Sequence, residues 1–590
     1  MQNTNIVNST AQAVKRVRLW YGLLLVVVAI FGVRLFYVQI IRYDHYKVAA
    51  LSDQLKQYEI PASRGNIQAH NGASTLPIVL NQQLFTLYGD PVYIKKPQEV
   101  ADKIVPIIGG NAAQYLKQLK QKDTRYVILG KKLTNEQQKK IAALKVPGLG
   151  TQAQNYRTYP QNSLAAQVLG FVNDEGAGKY GIEQALNAEL KGKPGLLKAI
   201  TDVNGVPLAA SKDNIQQAPV EGKDVLLTLD LAMQQQTESV LADAVKSTRA
   251  SGASAVILDP RDGSIKAMAN VPTYDPSKYF NVEDGKLFGN AAVSEPIEIG
   301  SIMKPLTTAA AIDQGVIAPS TSYYDPASWL VDGFRITNIE EDGGAGTRNI
   351  ADVLNLSLNT GATWELMQMG SGKINAKARE AWHSYMVDHY YFGRTTGVEQ
   401  GFEAEGYVPP PADNDAGINL TYANTTFGQA MTATPVQVAA AYASMVNGGT
   451  MYKPHILEGT IDGAGKKIVN KPKVLKQGVV SPKTSAAMLP LMQNVVAKHH
   501  FNPDFDYTAY TVGGKTGTAQ IAKPGGGYYA DKFNGTYAGF VGGDEAQYVI
   551  VVFVDKPTNG GYAGTAAAQP VFGKLAHMLI NDSYVMPKKQ

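Results

Sequence analysis

The sequence predicts an α+β protein carried on a single N-terminal transmembrane helix. Three observations point there. An uncharged apolar run lies near the start, from Leu19 to Val33. Strand-like segments stand at both ends of the region after residue 220, with helical segments between them. A polar stretch separates the two, mixing short strands with Lys- and Gln-rich helices.

Beyond Arg34 the apolar run resumes as Leu35-Phe36-Tyr37-Val38-Gln39-Ile40-Ile41. Leu19 to Val38 can cross a bilayer core of about 30 Å at about 1.5 Å per residue. Trp20 and Tyr37 stand near its ends, where amphipathic rings favour the interface, and Arg34 can snorkel from there. The run is long for a signal peptide and no good small-x-small pattern follows it, so an anchor is the better reading. Lys15, Arg16 and Arg18 precede it; Arg34, Arg42, Asp44 and Lys47 follow. That bias slightly favours a cytoplasmic N-terminus. Residues 1 to about 14 are rich in Asn, Thr and Gln and predict a disordered tail.

Residues 42–220 read as an elongated, surface-rich module containing helices such as Asn135 to Leu144. Asp213 to Gly222 reads as a linker. The next region opens with a strand at Val225–Leu229 and a helix from Leu231 to Ser247. A hairpin follows, Ser254–Leu258 and Ser264–Ala269, turning at Asp262-Gly263. Near the other end, Tyr510–Ile521, Gly535–Val541 and Tyr548–Asp555 read as strands, and Thr565–Ile580 as a closing helix. The pattern predicts one antiparallel sheet built from both ends of this domain and flanked by helices.

A chain of 590 residues can hold two to four domains. Its 55 basic and 50 acidic residues leave a net charge of +5, spread along the chain. No Arg-rich run or aromatic-basic stripe offers a nucleic-acid surface. There is no cysteine, which excludes disulfides, thiolate catalysis and Cys-based metal sites. The eight histidines form no His-Glu-x-x-His pattern. The His499-His500 pair lacks a carboxylate at ligand spacing and reads as surface loop. Neither a metal nor a cofactor is expected.

The chemistry lies in three short motifs, each present once: Ser301-Ile302-Met303-Lys304, Ser357-Leu358-Asn359 and Lys515-Thr516-Gly517-Thr518. Gly300 precedes the first, an apolar helical stretch follows to Gln314, and Gly315 is a helix stop. Pro305 is tolerable only near a helix start, so the helix is expected to begin near Ser301, with Lys304 one turn on and on the same face. A serine hydroxyl needs a base, and Lys304 can serve if burial and nearby cations lower its proton affinity. Ser357 could relay a proton to a leaving amine, and Asn359 could hold the lysine or a substrate amide. Lys515 adds positive potential on a strand, where Gly517 would let substrate backbone approach. Thr516 and Thr518 offer hydroxyls to a substrate carboxylate. The amides of Ser301 and Thr518 could form an oxyanion hole.

Competing motifs fail. Gly514-Lys515-Thr516 resembles a phosphate loop, but position 509 is Ala509 where that loop needs Gly. Gly370-Ser371-Gly372-Lys373 is followed by Ile374, and no Gly-x-Ser-x-Gly elbow occurs.

With these motifs the chain resembles a class B penicillin-binding protein, a monofunctional peptidoglycan transpeptidase. The resemblance covers about residues 15–581. It includes Arg64-Gly65-Asn66-Ile67, Tyr180-Gly181-Ile182-Glu183, the LTLD stretch at 227–230, residues 258–276 and residues 427–449. It implies a cytoplasmic tail (1–18), a transmembrane helix (19–41), a pedestal (42–220), a transpeptidase domain (221–581) and a short tail (582–590). It implies Ser301 as the acylated residue, Lys304 as base, Ser357 and Asn359 as the second motif, and Lys515, Thr516 and Thr518 on the substrate carboxylate. The expected activity is D,D-transpeptidation through a serine acyl-enzyme, with covalent penicillin binding. Hydrolysis as a carboxypeptidase or β-lactamase, or a non-catalytic β-lactam sensor, are the alternatives. The expected partner is a membrane-embedded glycan-chain polymerase. The chain departs from the family at Ile299, usually Pro, at Leu358, often Ser, and at Ala69-His70, usually Asp-Arg, which puts the pedestal packing in question.

Overall fold

The computed structural model describes residues 4–46, 55–60, 62–200, 215–338, 344–411, 416–462, 464–499, 505–523, 527–559 and 562–589. Two compact units divide the chain: residues 1–62 with 192–221, and residues 63–191 with 222–590.

In the first unit a helix, Thr4–Phe36, continues through a π-helical turn at Tyr37–Ile41. The stretch Val14–Ile41 within it is long and apolar enough to cross a membrane. The helix reaches back into the segment where a disordered tail is expected; residues 1–3 lie outside the described residues. No Gly or Pro stands between Thr4 and Tyr21, so nothing in the backbone stops the helix from propagating toward the N-terminus. The same unit holds a three-stranded sheet. Leu55–Ile60 pairs antiparallel with Gly195–Ile200, which pairs with Ile215–Gln217. Part of the expected linker is therefore a strand, while Asp213 and Asn214 lie outside the described residues. That strand is at the sheet edge, where the nearby Pro219 removes no needed ladder donor.

The second unit is built on two sheets. Its elements in chain order include β1 (Ile67–Asn71), β2 (Ser74–Gly89), β3 (Val127–Leu133), β4 (Leu149–Thr158), β5 (Asp224–Asp230), α1 (Leu231–Thr248), β6 (Gly252–Leu258), β7 (Ile265–Val271), α2 (Lys304–Asp313), α3 (Ile350–Asn355), α4 (Asn359–Met369), α5 (Pro435–Val446), β8 (Leu457–Ile461), β9 (Lys467–Val469), α6 (Pro482–Lys498), β10 (Thr511–Ala522), β11 (Tyr528–Gly542), β12 (Ala546–Asp555) and α7 (Gln569–Asn581). One sheet runs β9-β8-β5-β1-β2-β3, with β4 paired to β2. It joins strands from both sides of residue 221 through a parallel β5–β1 pairing. The other runs β7-β6-β12-β11-β10, antiparallel throughout. That is the sheet expected from both ends of the domain, and its hairpin β6–β7 turns at Asp262-Gly263.

Burial explains the arrangement. Ile67 and Ala69 of β1, Leu227 of β5 and Leu258 of β6 share one buried cluster with Leu306 of α2 and Val436 of α5. A separate cluster, including Leu87, Ile104 and Leu119, fills the outer part of the region before residue 160. The module expected to be surface-rich thus has an inner end set into the main core. There Glu183, fully buried, binds Arg64 at 2.5 Å and Arg157 at 2.6 Å. Where the family usually has Asp-Arg, Ala69 is buried in that core and His70 bonds Glu458.

Candidate active site

Ser301 does not open the α-helix. It sits in a 3-10 turn, Gly300–Met303, and α2 begins at Lys304 with Pro305 in its first turn, where the missing N–H has no helical partner to lose. The offset comes from packing. Gly300 has φ +65°, and a Cβ there would stand 3.0 Å from the Thr518 carbonyl oxygen. The chain passes so close to β10 at this point that only glycine fits.

Lys304 is buried while Ser301 stays partly exposed. Its Nζ donates to Ser301 Oγ at 3.0 Å, to Ser357 Oγ at 3.1 Å and to the Ser357 carbonyl oxygen. Burial strips the water that would stabilise the ammonium, and a neutral amine could accept the Ser301 proton along the same line.

Ser357 lies between α3 and α4 with φ +55°, a left-handed conformation that non-glycine residues seldom adopt. Leu358 is buried and its amide bonds the Val353 carbonyl at 3.0 Å, which fixes the turn. Asn359 opens α4, and its Nδ2 donates to the Thr337 carbonyl at 3.0 Å rather than to Lys304. Side chains lean toward the N-terminus of their helix, and here that direction holds Thr337.

β10 is the edge of its sheet. Lys515 is buried there and its Nζ reaches the Thr516 carbonyl at 3.2 Å and Thr516 Oγ1 at 3.4 Å. Thr516 and Thr518 are half-buried on the alternate face. Thr518 Oγ1 accepts from the Gly564 amide at 3.0 Å, which leaves its own hydroxyl proton to donate. A Cβ at Gly517 would stand 2.2 Å from Thr536 Oγ1, 2.9 Å from the Ile299 carbonyl and 3.1 Å from Ile302 Cγ2. Its missing side chain admits the turn that carries Ser301. All three motifs therefore meet: the first and second through hydrogen bonds, the first and third through backbone packing.

His499 caps α6 and its Nε2 bonds the Asn355 carbonyl at 2.7 Å, so it braces the end of α3 instead of lying in a loop. His500 lies outside the described residues.

Several supporting residues escaped the sequence reading. Behind the nucleophile, the buried hydroxyls of Tyr442 and Tyr390 donate to the Ile302 and Leu306 carbonyls. Glu298 accepts from the Ala430 amide and from Tyr528 Oη, both at 2.9 Å, and burial pushes its carboxyl up. Asp325 accepts from Thr360 Oγ1 at 2.6 Å and from Tyr323 Oη at 3.0 Å, beside the second motif. Glu365 of α4 is fully buried. The legible signal for it was a lone acid in the stretch Asn359–Met369.

The penicillin binding protein transpeptidase domain matches residues 253–577, and the penicillin-binding protein dimerisation domain matches residues 59–227. Stage V sporulation protein D of Bacillus subtilis is 30% identical over 580 residues, covering 97% of this chain and 87% of the relative. Penicillin-binding protein PbpB of Mycobacterium tuberculosis is 30% identical over 601 residues, covering 98% and 86%. The crystal structure of penicillin binding protein 3 of that bacterium with aztreonam superposes with a TM-score of 0.66 at 25% identity, covering 90% of this chain and 98% of that one.

Proposed function

Because the chain belongs to the penicillin-binding protein transpeptidase family, and is a serine-type peptidoglycan D,D-transpeptidase that binds β-lactams, we propose that Ser301 is the residue acylated by the stem peptide. The observation that carries the assignment is the hydrogen-bonded set of Ser301, Lys304 and Ser357. Ser301 Oγ attacks the carbonyl carbon of the D-Ala-D-Ala amide as Lys304 Nζ takes its proton. The amides of Ser301 and Thr518 receive the oxyanion. The proton passes by way of Ser357 to the departing amine, the C–N bond breaks, and the ester on Ser301 remains. An amine of a neighbouring stem then attacks that ester, giving a new amide and returning the proton to Ser301. One amide replaces another, so no external energy source is required. Lys515, Thr516, Gly517 and Thr518 form the strand edge on which the substrate carboxylate lies. Asn359 holds the second motif in place through Thr337.

We read residues 42–220 as the pedestal and 221–581 as the transpeptidase domain; the two family matches fall largely within these limits. The apolar helix is a single-pass anchor, with the catalytic domain on the outer side of the membrane. The partner is a membrane-embedded glycan-chain polymerase meeting that helix laterally. Support comes from the polar Arg34 and Gln39 within the span, since such groups favour a protein contact over lipid. Mild-detergent purification should retain this polymerase.

Mass spectrometry after benzylpenicillin treatment tests the site. One penicilloyl adduct on Ser301, absent from S301A, is the expected result. An adduct elsewhere, or labelled S301A, overturns the assignment.

A further inference from the structure

Glu365 is a buried acid that the mechanism above does not use. It lies on α4, which packs against α2, the helix that begins at Lys304. Its Oε1 accepts from Thr308 Oγ1 at 2.8 Å, and its Oε2 has no protein hydrogen-bond partner among the described residues. Thr308 is four residues after Lys304, so both project from one face of α2. A carboxylate would cost more to hold there, with one oxygen unsatisfied, than a carboxylic acid.

We propose that Glu365 is a positioning residue that governs the proton on Lys304, acting through its charge across the α2–α4 interface. This rests on Lys304 being the base for Ser301. Burial pushes the Glu365 carboxyl up to about 8, opposed by the Thr308 hydrogen bond and by Lys304. With Glu365 protonated, Lys304 can lose its proton and act as base. An ionised Glu365 would favour the charged form of Lys304 across the interface and leave Ser301 without a base. Tyr323 also feels Glu365; its phenol is raised by burial and by Asp325, with Arg348 acting against the rise. Tyr323 is thus neutral and supplies no competing charge. Arg379, on the helix Ala376–Ser384 that packs against α4, is engaged with Asn419. Asp313, at the far end of α2, is engaged with Tyr385, Ser481 and Thr484.

The test is the pH dependence of acylation by fluorescent benzylpenicillin, measured on the full chain in detergent. E365Q keeps the shape of the side chain but cannot ionise. Where an ionised Glu365 holds the proton on Lys304 in wild type, E365Q releases it, so the acid limb should move to lower pH by about one unit, a tenfold change in proton affinity. T308V removes the hydrogen bond that favours ionisation, so its limb should move in the same direction by less. Profiles of both variants that coincide with wild type, or limbs that move to higher pH, overturn the proposal. If E365Q does not fold, T308V alone decides. Failure of wild type to label at Ser301 would instead remove the underlying assignment, a result distinct from coinciding profiles.

Discussion

His70 of β1 and Glu458 of β8 bond to each other across β5, the strand that lies between theirs. The His70 hydrogen bond holds the Glu458 carboxyl below its ordinary value, with Lys266 and Lys467 adding to the effect. A lowered folded value means that the bond stabilises the protein above about 4.5, the unfolded value, and is lost as pH falls through the folded one. E458Q should therefore melt below wild type at neutral pH, by an amount equivalent to about 0.2–1 kcal/mol because the pair is partly solvated. The gap should close as the medium is acidified below about 4.5. A gap that is constant with pH would show that the pair contributes nothing by its charge.

Glu183 accepts from two guanidinium groups, Arg64 and Arg157, while itself fully buried. Removing the acid leaves two cations facing each other in a low-dielectric interior. E183A should cost about 3–5 kcal/mol, read as a lowered urea midpoint. A charge-preserving E183D should recover only part of that, because the shorter side chain cannot reach both partners. Stability of E183A close to wild type would mean that the arginines relax into solvent.

How much of this was legible beforehand depends on range. The five-stranded sheet was, because β6, β7, β11 and β12 carry apolar or β-branched stretches between turn signals and β10 brings Thr511, Val512, Thr516 and Thr518. Ser301, Lys304 and Ser357 were legible as motifs, and Lys515 with them. What escaped is nonlocal. Nothing around Ile215 says that it pairs with a strand near Leu197, since that partner is set by chain closure. A glycine such as Gly517 reports only that something comes close, and only the fold shows that the Ile299–Ile302 turn does. Tyr442 stands in an apolar run and Tyr390 beside Tyr391 and Phe392, with nothing local to name what their hydroxyls reach. Their targets, the Leu306 and Ile302 carbonyls, are supplied by a distant helix start.

The Gly517 geometry makes a sharp prediction. G517A must displace Thr536 Oγ1 or push back the Ile299 carbonyl, and the latter carries Ser301 with it. Overpacking of this kind costs about 1–3 kcal/mol. A displacement of the nucleophile on the order of 1 Å can reduce its reaction about 100-fold. Acylation by benzylpenicillin should slow far more than the melting temperature falls. Normal acylation in G517A would show that the turn yields elsewhere.

Ser357 separates backbone from chemistry, because its φ of +55° suits glycine better than alanine. S357A and S357G both remove the hydroxyl that lies 3.1 Å from Lys304 Nζ. Only S357A must also hold a Cβ in the left-handed region, so it should be the less stable of the two by about 1 kcal/mol. If the hydroxyl relays a proton, both variants should lose a similar factor in turnover of a D-Ala-D-Ala substrate, about 100-fold or more. If its purpose is instead to shape the turn, S357G should retain turnover while S357A loses it, and steady-state kinetics on the pair would tell the two roles apart.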